Sequence, residues 1–149
     1  MIKKLEHNNK EVAERILAIQ LPAYQVEAKL MEFNALPPLK ETVVSILKSN
    51  ELFFGYFSKD KLVAIISYNQ EEEYIEICRL VVDPNYFRKG IGKQLVKFII
   101  QIADGKPIFV MTGTNNIPAV SLYTSIGFRK KEKIEIAPDV YVRKFVHQL

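Results

Sequence analysis

The sequence predicts an α/β (α+β) fold, a mixed and mostly antiparallel central sheet flanked by helices. Three strand-like segments rich in aromatic and β-branched residues follow one another over residues 52–82, separated by short polar turns, which is typical of an antiparallel meander. A helical segment at 90–103 then leads to a short apolar strand at 108–111. Because a helix that joins neighbouring parallel strands makes a right-handed crossover, we expect one parallel contact, between the 74–82 and 108–112 strands.

The first third of the chain is predicted to be mainly helical. After a short strand at Ile2–Glu6, a helix capped by an asparagine is expected to reach about Gln20. Pro22 is expected to break the chain, with further helices at Tyr24–Phe33 and Lys40–Lys48. This part of the sequence contains no recognisable chemistry.

The last third is predicted to complete the sheet. The Ile108–Met111 strand is wholly apolar, as expected for a buried central strand. A helix should begin at Asn116 and end at Gly127. The strands Lys131–Ile136 and Val140–Val146 should then form a closing hairpin. Because no repeat or linker interrupts the chain, we expect a single domain over all 149 residues.

Composition limits the classes of function. Hydrophobic residues make up 48% and charged residues 26% of the chain, which is typical of a globular domain. The 21 basic and 17 acidic residues give a net charge of +4, and no long basic run indicates nucleic-acid binding. The lone cysteine, Cys78, excludes an internal disulfide and fits a reducing compartment. Since no apolar run resembles a signal or a membrane span, we expect a cytoplasmic protein without membrane partners.

The sequence around Gly90-Ile91-Gly92 predicts a binding site for a polyanion. A strand and a basic loop precede these glycines, and a helix follows them. Glycines let the backbone turn tightly and leave its N–H groups uncovered, and the helix N-terminus adds further free N–H groups. The basic residues at the same point are Arg88, Lys89 and Lys93. A diphosphate would fit there, although the sequence matches neither a Walker loop nor the dinucleotide fingerprint.

The second half of the chain contains two motifs, LVVDPNYFRKGIGKQL at 80–95 and NNIPAVSLYTSIGF at 115–128. The second motif holds Asn116, then Tyr123, then Gly127-Phe128. With this pair of motifs the chain resembles the GNAT superfamily of acyl-CoA N-acyltransferases. The order of elements over the last hundred or so residues also resembles that family.

The resemblance implies an acetyl-CoA-dependent N-acetyltransferase that moves an acetyl group to a primary amine by direct attack in a ternary complex. It also implies that the parallel strands splay apart to receive the pantetheine arm of coenzyme A. The residues that would bind acetyl-CoA are Leu80, Val81 and Val82 along the arm, Phe87, Arg88, Lys89, Gly90, Ile91, Gly92 and Lys93 at the diphosphate, and Asn116 and Tyr123 near the reactive end. Phe87 departs from the family, which usually has glutamine or arginine there, and this departure bears on donor affinity.

Two residues are candidates for proton transfer. The resemblance places the Tyr123 hydroxyl near the sulfur as general acid, whereas its apolar helix face alone would suggest a core tyrosine. Glu76 resembles the catalytic glutamate of the histone-acetylating branch, and it alternates in phase with Cys78, Leu80 and Val82. A solvated glutamate at a strand start is the simpler interpretation of Glu76. Cys78 is expected to pack rather than to carry an acyl group.

Two classes of function remain open at this point. The first is an N-acetyltransferase acting on a small molecule or a protein amine, and the second is a catalytically weak CoA-binding or regulatory module with the same fold. Neither needs a metal ion, and the oligomeric state is open between a monomer and a homodimer. The basic cluster at 129–133 is expected to be a solvated strand edge. Candidate residues for the acceptor side, by resemblance, are Tyr24, Glu27, Met31 and Phe33.

Overall fold

A seven-stranded sheet organises the computed structural model, which describes residues 1–148. Its elements are β1 (Ile2–Leu5), α1 (Lys10–Met31), a 3-10 turn (Pro37–Lys40), α2 (Val43–Leu47), β2 (Leu52–Ser58), β3 (Lys61–Gln70), β4 (Ile75–Val82), a second 3-10 turn (Pro84–Tyr86), α3 (Ile91–Ala103), β5 (Ile108–Gly113), α4 (Ile117–Ile126), β6 (Arg129–Ala137) and β7 (Val140–His147). The strand order is β1-β2-β3-β4-β5-β7-β6. Neighbouring strands are antiparallel except β4 and β5, which are parallel. The predicted fold class is therefore confirmed.

The parallel strands β4 and β5 are paired at one end only. Their register runs from Ile75 opposite Ile108 to Ile77 opposite Val110 and then stops. Beyond that point β4 pairs with β3 and β5 pairs with β7. The two strands therefore diverge toward their carboxyl ends and leave an opening, the splay, where ligands of crossover units bind.

A bulge in β4 lies where this pairing stops. Tyr68 of β3 pairs with Ile77, and the preceding residue, Ser67, pairs with Arg79. Cys78 is therefore an extra residue with no partner in β3. Such an extra residue shifts the alternation of side chains by one position. Odd-numbered side chains of β4 therefore lie on one face of the sheet before Cys78 and on the other face after it.

The alternation predicted for β4 is wrong because of this bulge. Ile77, Leu80 and Val82 all belong to the core cluster beneath α3. Glu76 instead lies on the opposite face and is exposed. That opposite face is the one from which Arg79 reaches α1.

α1 is one helix of 22 residues, so the prediction that Pro22 breaks the chain is wrong. Pro22 is exposed, and its missing N–H removes only one hydrogen bond of the helix. Burial of Ile19, Ala23 and Tyr24 on either side of it holds the helix against the sheet. The helix predicted at Lys40–Lys48 is also shorter, with a 3-10 turn before the five-residue α2.

The second half of α1 crosses the splay. Tyr24 belongs to the same core cluster as Val81 of β4. Met31 packs with Val142 of β7 and fills the space above Gly113, where a Cβ would not fit. The turns between Tyr24 and Met31 therefore bridge the gap between β4 and β5.

The closing hairpin is confirmed, and β6 forms the edge of the sheet. Its residues from Arg129 to Ile136 are all exposed, which confirms that the basic cluster is solvated. Met111 is 40% exposed, so only Ile108 and Val110 of the apolar β5 segment are buried as predicted.

Among residues 1–148 no helix has the length and apolarity to cross a membrane.

Candidate functional site

The loop between β4 and α3 presents a run of free backbone N–H groups. None of the N–H groups of residues 88–93 donates to an acceptor within the described chain, and the first to do so is that of Gln94, 3.1 Å from the Gly90 carbonyl oxygen. Arg88 and Gly90 have φ angles of 65° and 74°, in the left-handed region. Left-handed residues alternating with others turn successive N–H groups toward one side, which makes an anion-binding concavity. We call residues 88–93 the nest.

Charged and aromatic side chains surround the nest. Arg88 and Lys89 are exposed and Lys93 is half-buried. The Lys89 Nζ lies 5.2 Å from the centroid of the Tyr86 ring. Phe87 precedes the nest and is 42% exposed, so it offers an apolar surface where a glutamine or arginine would offer donors.

Gly92 borders a narrow groove between α3, β4 and α4. A Cβ on Gly92 would lie 3.8 Å from Leu122 and from Val82, and 3.9 Å from Leu80. These are ordinary contact distances, so the missing side chain leaves free space between the three elements. The Leu80 and Val82 side chains therefore line the groove, whereas the Val81 side chain is buried toward α1.

α4 carries Asn116 and Tyr123 to the same end of the sheet. Asn116 caps the helix, and its Oδ1 accepts a hydrogen bond from the Ala119 N–H at 3.3 Å. Tyr123 is 3% exposed, and its ring centroid lies 5.2 Å from that of Phe128 and 6.2 Å from that of Phe145. Within residues 1–148 the Tyr123 hydroxyl is neither hydrogen-bonded nor sealed from solvent. The ring therefore packs in the core while the hydroxyl reaches the site.

Glu27 of α1 lies near both of these residues. Burial raises the pKa of Glu27, and the neighbouring Asn116 side chain partly offsets the rise. Burial also raises the pKa of Tyr123, and the charge of Glu27 raises it further. Tyr24, one helical turn before Glu27, has its pKa raised by burial and then by the same charge. We call Tyr24, Glu27, Asn116 and Tyr123 the Glu27 cluster.

A buried ionic network lies beside the Glu27 cluster. Arg79 is 8% exposed, and its guanidinium lies 2.7 Å from Glu41 and 2.9 Å from Glu51. The same group donates to Gln20 of α1 at 2.8 Å, and the Ser67 hydroxyl donates to Glu51 at 2.6 Å. Burial by itself would lower the pKa of Arg79, but Glu51 and Glu41 outweigh it and raise the pKa overall. This Arg79 network ties α1 and the segment before α2 to the sheet just after the bulge.

Sequence reasoning missed the Arg79 network. A signal was available, because Arg79 alternates with the apolar residues Ile75, Ile77 and Val81 in the sequence IEICRLVV. An arginine in such a series is expected to need a buried carboxylate partner. The partners themselves lie far away in the sequence and could not be identified from it.

The two other candidates of β4 lie outside the Glu27 cluster. Glu76 pairs with Asn69 and Phe109, at the closed end of the parallel pair. Burial, followed by the charges of Glu51 and Glu76, raises the pKa of the Cys78 thiol to about 12. A protonated thiol is a poor nucleophile, in agreement with its predicted packing role. Over the described residues, no three histidine, cysteine, aspartate or glutamate side chains converge on a possible metal position.

Comparison with known proteins identifies the family of this chain. The model of the acetyltransferase (GNAT) family matches residues 13–128. This chain belongs to the GNAT family. The match spans both motifs and α1, so the predicted resemblance is confirmed and extends to the N-terminal third.

One relative matches nearly the whole chain. The UPF0157 protein YqkA of Bacillus subtilis (strain 168) is 44% identical over 146 residues, which is 97% of this chain and 43% of YqkA. This chain thus spans less than half the length of that relative.

Two solved N-acetyltransferase structures share the fold over nearly the whole chain. The ribosomal-protein-S18-alanine N-acetyltransferase of Escherichia coli superposes with a TM-score of 0.78 at 18% identity, over 99% of this chain and 92% of that one. The PaiA N-acetyltransferase of Thermoplasma acidophilum, solved in complex with coenzyme A, gives 0.74 at 19% identity over 97% and 96%. At these identities the likeness shows the fold alone.

Proposed function

We propose that this protein is an acetyl-CoA-dependent N-acetyltransferase that moves an acetyl group to a primary amine by direct attack in a ternary complex. The nest carries the proposal, because its N–H groups have no acceptor within residues 1–148 and it opens onto the groove beside Gly92. A run of free N–H groups at a helix N-terminus is suited to a diphosphate. Membership of the GNAT family makes the diphosphate of coenzyme A the expected occupant.

The free edge of β4 accounts for binding of the pantetheine arm. From Arg79 to Val82 this strand has β3 on one side and no β5 partner on the other. Backbone N–H and C=O groups of Leu80, Val81 and Val82 along that edge can therefore pair with the amides of the arm, as a strand would. Asn116 uses its oxygen to cap α4, which leaves its amide N–H groups for the reactive end.

Acetyl-CoA supplies the activated acetyl group, and Tyr123 supplies the proton that the departing sulfur needs. The raised pKa of Tyr123 keeps its hydroxyl protonated at neutral pH, so a proton is present when the carbon–sulfur bond breaks. Packing of the ring against Phe128 and Phe145 holds the hydroxyl in one position. Such positioning contributes to the rate because the group need not be ordered during the reaction.

Release of thiol tests the proposed function directly. The protein is incubated with acetyl-CoA and with spermidine, lysine or a peptide bearing an N-terminal alanine, and free thiol and the acetylated amine are measured. We expect thiol release that depends on both the protein and an amine. Stabilisation by acetyl-CoA without any thiol release would instead favour the catalytically weak CoA-binding module. The exposed Phe87 beside the nest favours that alternative, because its side chain offers the donor no hydrogen bond.

Gly92→Val should weaken acetyl-CoA binding without unfolding the protein. The added methyl groups would project between Leu80, Val82 and Leu122 and narrow the groove. We expect the dissociation constant to rise about 10-fold or more, that is by about 1.4 kcal/mol, because the added methyl groups would take space that the bound donor needs. Isothermal titration calorimetry measures the affinity, and thermal unfolding of the free protein checks the fold. Gly92→Ala is the matched control with a smaller expected effect, and unchanged affinity in folded Gly92→Val would remove the groove from the donor site.

A further inference from the structure

One carboxylate interrupts the buried face of α1 where the helix crosses the splay. The buried residues of this part of the helix recur at spacings of three and four, and Glu27 falls in the same series. They are Gln20, Ala23, Tyr24, Ala28 and Met31. Glu27 is half-buried, and partial removal of a carboxylate from water disfavours its charged form unless it is paired. Among residues 1–148 Glu27 has no salt-bridge partner.

The surroundings of Glu27 carry a surplus of negative charge. α4 contributes Asn116 and Tyr123, and α1 contributes Tyr24. Two further charges that act on Tyr24 are those of Arg79 in β4 and of Glu41, which precedes α2. Arg79 is already paired with both Glu41 and Glu51, so it is not available to neutralise Glu27. A cation from outside the chain would balance the remaining charge.

We propose that Glu27 accepts the proton of the acceptor amine, and that the acceptor enters the splay as a primary ammonium ion. This inference rests on the proposed N-acetyltransferase function and adds the base and the charge of the acceptor to it. Glu27 on α1 and Tyr123 on α4 lie close enough for the charge of one to act on the other. An amine bound between them would meet a base on one side and the acid on the other.

The proton transfers balance in this arrangement. The Glu27 carboxylate takes one proton from the ammonium nitrogen, whose lone pair then forms the bond to the acetyl carbon. As the carbon–sulfur bond breaks, the sulfur takes the Tyr123 proton, and the nitrogen returns its second surplus proton to the tyrosinate. Glu27 then releases its proton to solvent. The net products are the N-acetyl amine, free thiol and one proton.

The local electrostatics suit Glu27 to this role. Burial raises its pKa, and a carboxylate with a raised pKa is a stronger base at neutral pH. The facing hydroxyls of Tyr24 and Tyr123 stay protonated because burial raises their pKa values as well. Glu41 and Glu51 are both paired with Arg79, so neither of those carboxylates is free to act as the base. The other candidate base, Glu76, lies at the closed end of the parallel pair.

Kinetics of Glu27→Gln test the inference, with spermidine and an alanine-terminated peptide as the acceptor probes. We expect kcat/KM for the amine to fall about 100-fold, the low end of general-base contributions. The KM for acetyl-CoA should stay unchanged, and the rise of the rate with pH that reflects Glu27 ionisation should disappear. Glu27→Asp keeps a carboxylate and should recover part of the rate. Glu14→Gln, an exposed glutamate of the same helix, is the matched control and should behave as the wild type.

Stability provides a second readout that needs no acceptor. A carboxyl whose pKa is raised by folding binds its proton more tightly in the folded state. Its contribution to stability therefore falls as the pH rises from the unfolded pKa, near 4.5, through the raised folded value. Glu27→Gln should consequently unfold at the same or a higher temperature than the wild type at neutral pH, with a difference that grows across this pH window. A structural glutamate would give a less stable variant instead.

The possible outcomes distinguish the role of Glu27 from the proposed N-acetyltransferase function. If the wild type releases thiol with either probe and Glu27→Gln retains the full rate, Glu27 is not the base and the proposed function stands. A Glu27→Gln variant with lower stability and a normal pH profile would lead to the same conclusion. If the wild type binds acetyl-CoA but acetylates neither probe, the inference of an ammonium acceptor falls together with the proposed function.

Discussion

Tyr123→Phe is expected to lower the turnover number about 100-fold, which is the low end of acid–base contributions, while leaving donor binding nearly unchanged. The substitution removes only the hydroxyl, and the ring keeps its packing on Phe128 and Phe145. The hydroxyl acts when the carbon–sulfur bond breaks, so its loss should affect turnover rather than affinity. The measurements are kcat at saturating acetyl-CoA and amine, and the acetyl-CoA dissociation constant by calorimetry.

The opposite pattern would identify Tyr123 as a core residue. A tyrosine needed only for packing would give near-normal turnover and little change in stability, because Tyr123→Phe keeps the ring and its contacts with Phe128 and Phe145. Tyr56→Phe is the matched control, because Tyr56 is a half-buried tyrosine of β2, away from the splay. Full turnover of Tyr123→Phe under saturating conditions would assign the acid to water or to another residue.

Arg79→Met is expected to lower the free energy of unfolding by about 3–5 kcal/mol, the usual cost of removing one partner from a buried ion pair. Methionine keeps much of the length of the side chain and its contact with Phe53, whose ring centroid lies 5.1 Å from the guanidinium carbon. The loss would therefore come mainly from Glu41 and Glu51, which would remain buried without a cation. Urea unfolding of the two proteins measures the difference.

Two further variants make this prediction specific. Combining Arg79→Met with Glu51→Gln removes the uncompensated charge together with its partner, so part of the lost stability should return. Lys144→Met breaks the half-exposed contact of Lys144 with Glu132, at 4.0 Å, and should cost only about 0–1 kcal/mol. If Arg79→Met unfolds no more easily than Lys144→Met, the network is not a major source of stability.

The sequence by itself determined the features that depend on neighbouring residues. Gly90 and Gly92 beside a basic loop indicate free N–H groups whatever the rest of the chain does, because backbone freedom and helix ends are local properties. Apolar alternation and polar turns likewise predict the meander, and the crossover helix predicts that β4 and β5 are parallel. The glycine loop, together with the spacing from Asn116 to Tyr123 and Gly127-Phe128, was sufficient to recognise the family.

The tertiary structure alone decided which side chains meet at the splay. The bulge at Cys78 follows from the pairing of β4 with β3, which joins distant segments, and it moves Glu76 away from the face predicted for it. Pro22 lies within α1 because packing against the sheet outweighs the loss of one hydrogen bond. The same continuous helix brings Glu27 to Tyr123. Glu27 is half-buried, and it acts on Tyr123 of a helix far along the chain, so local sequence could not reveal its role.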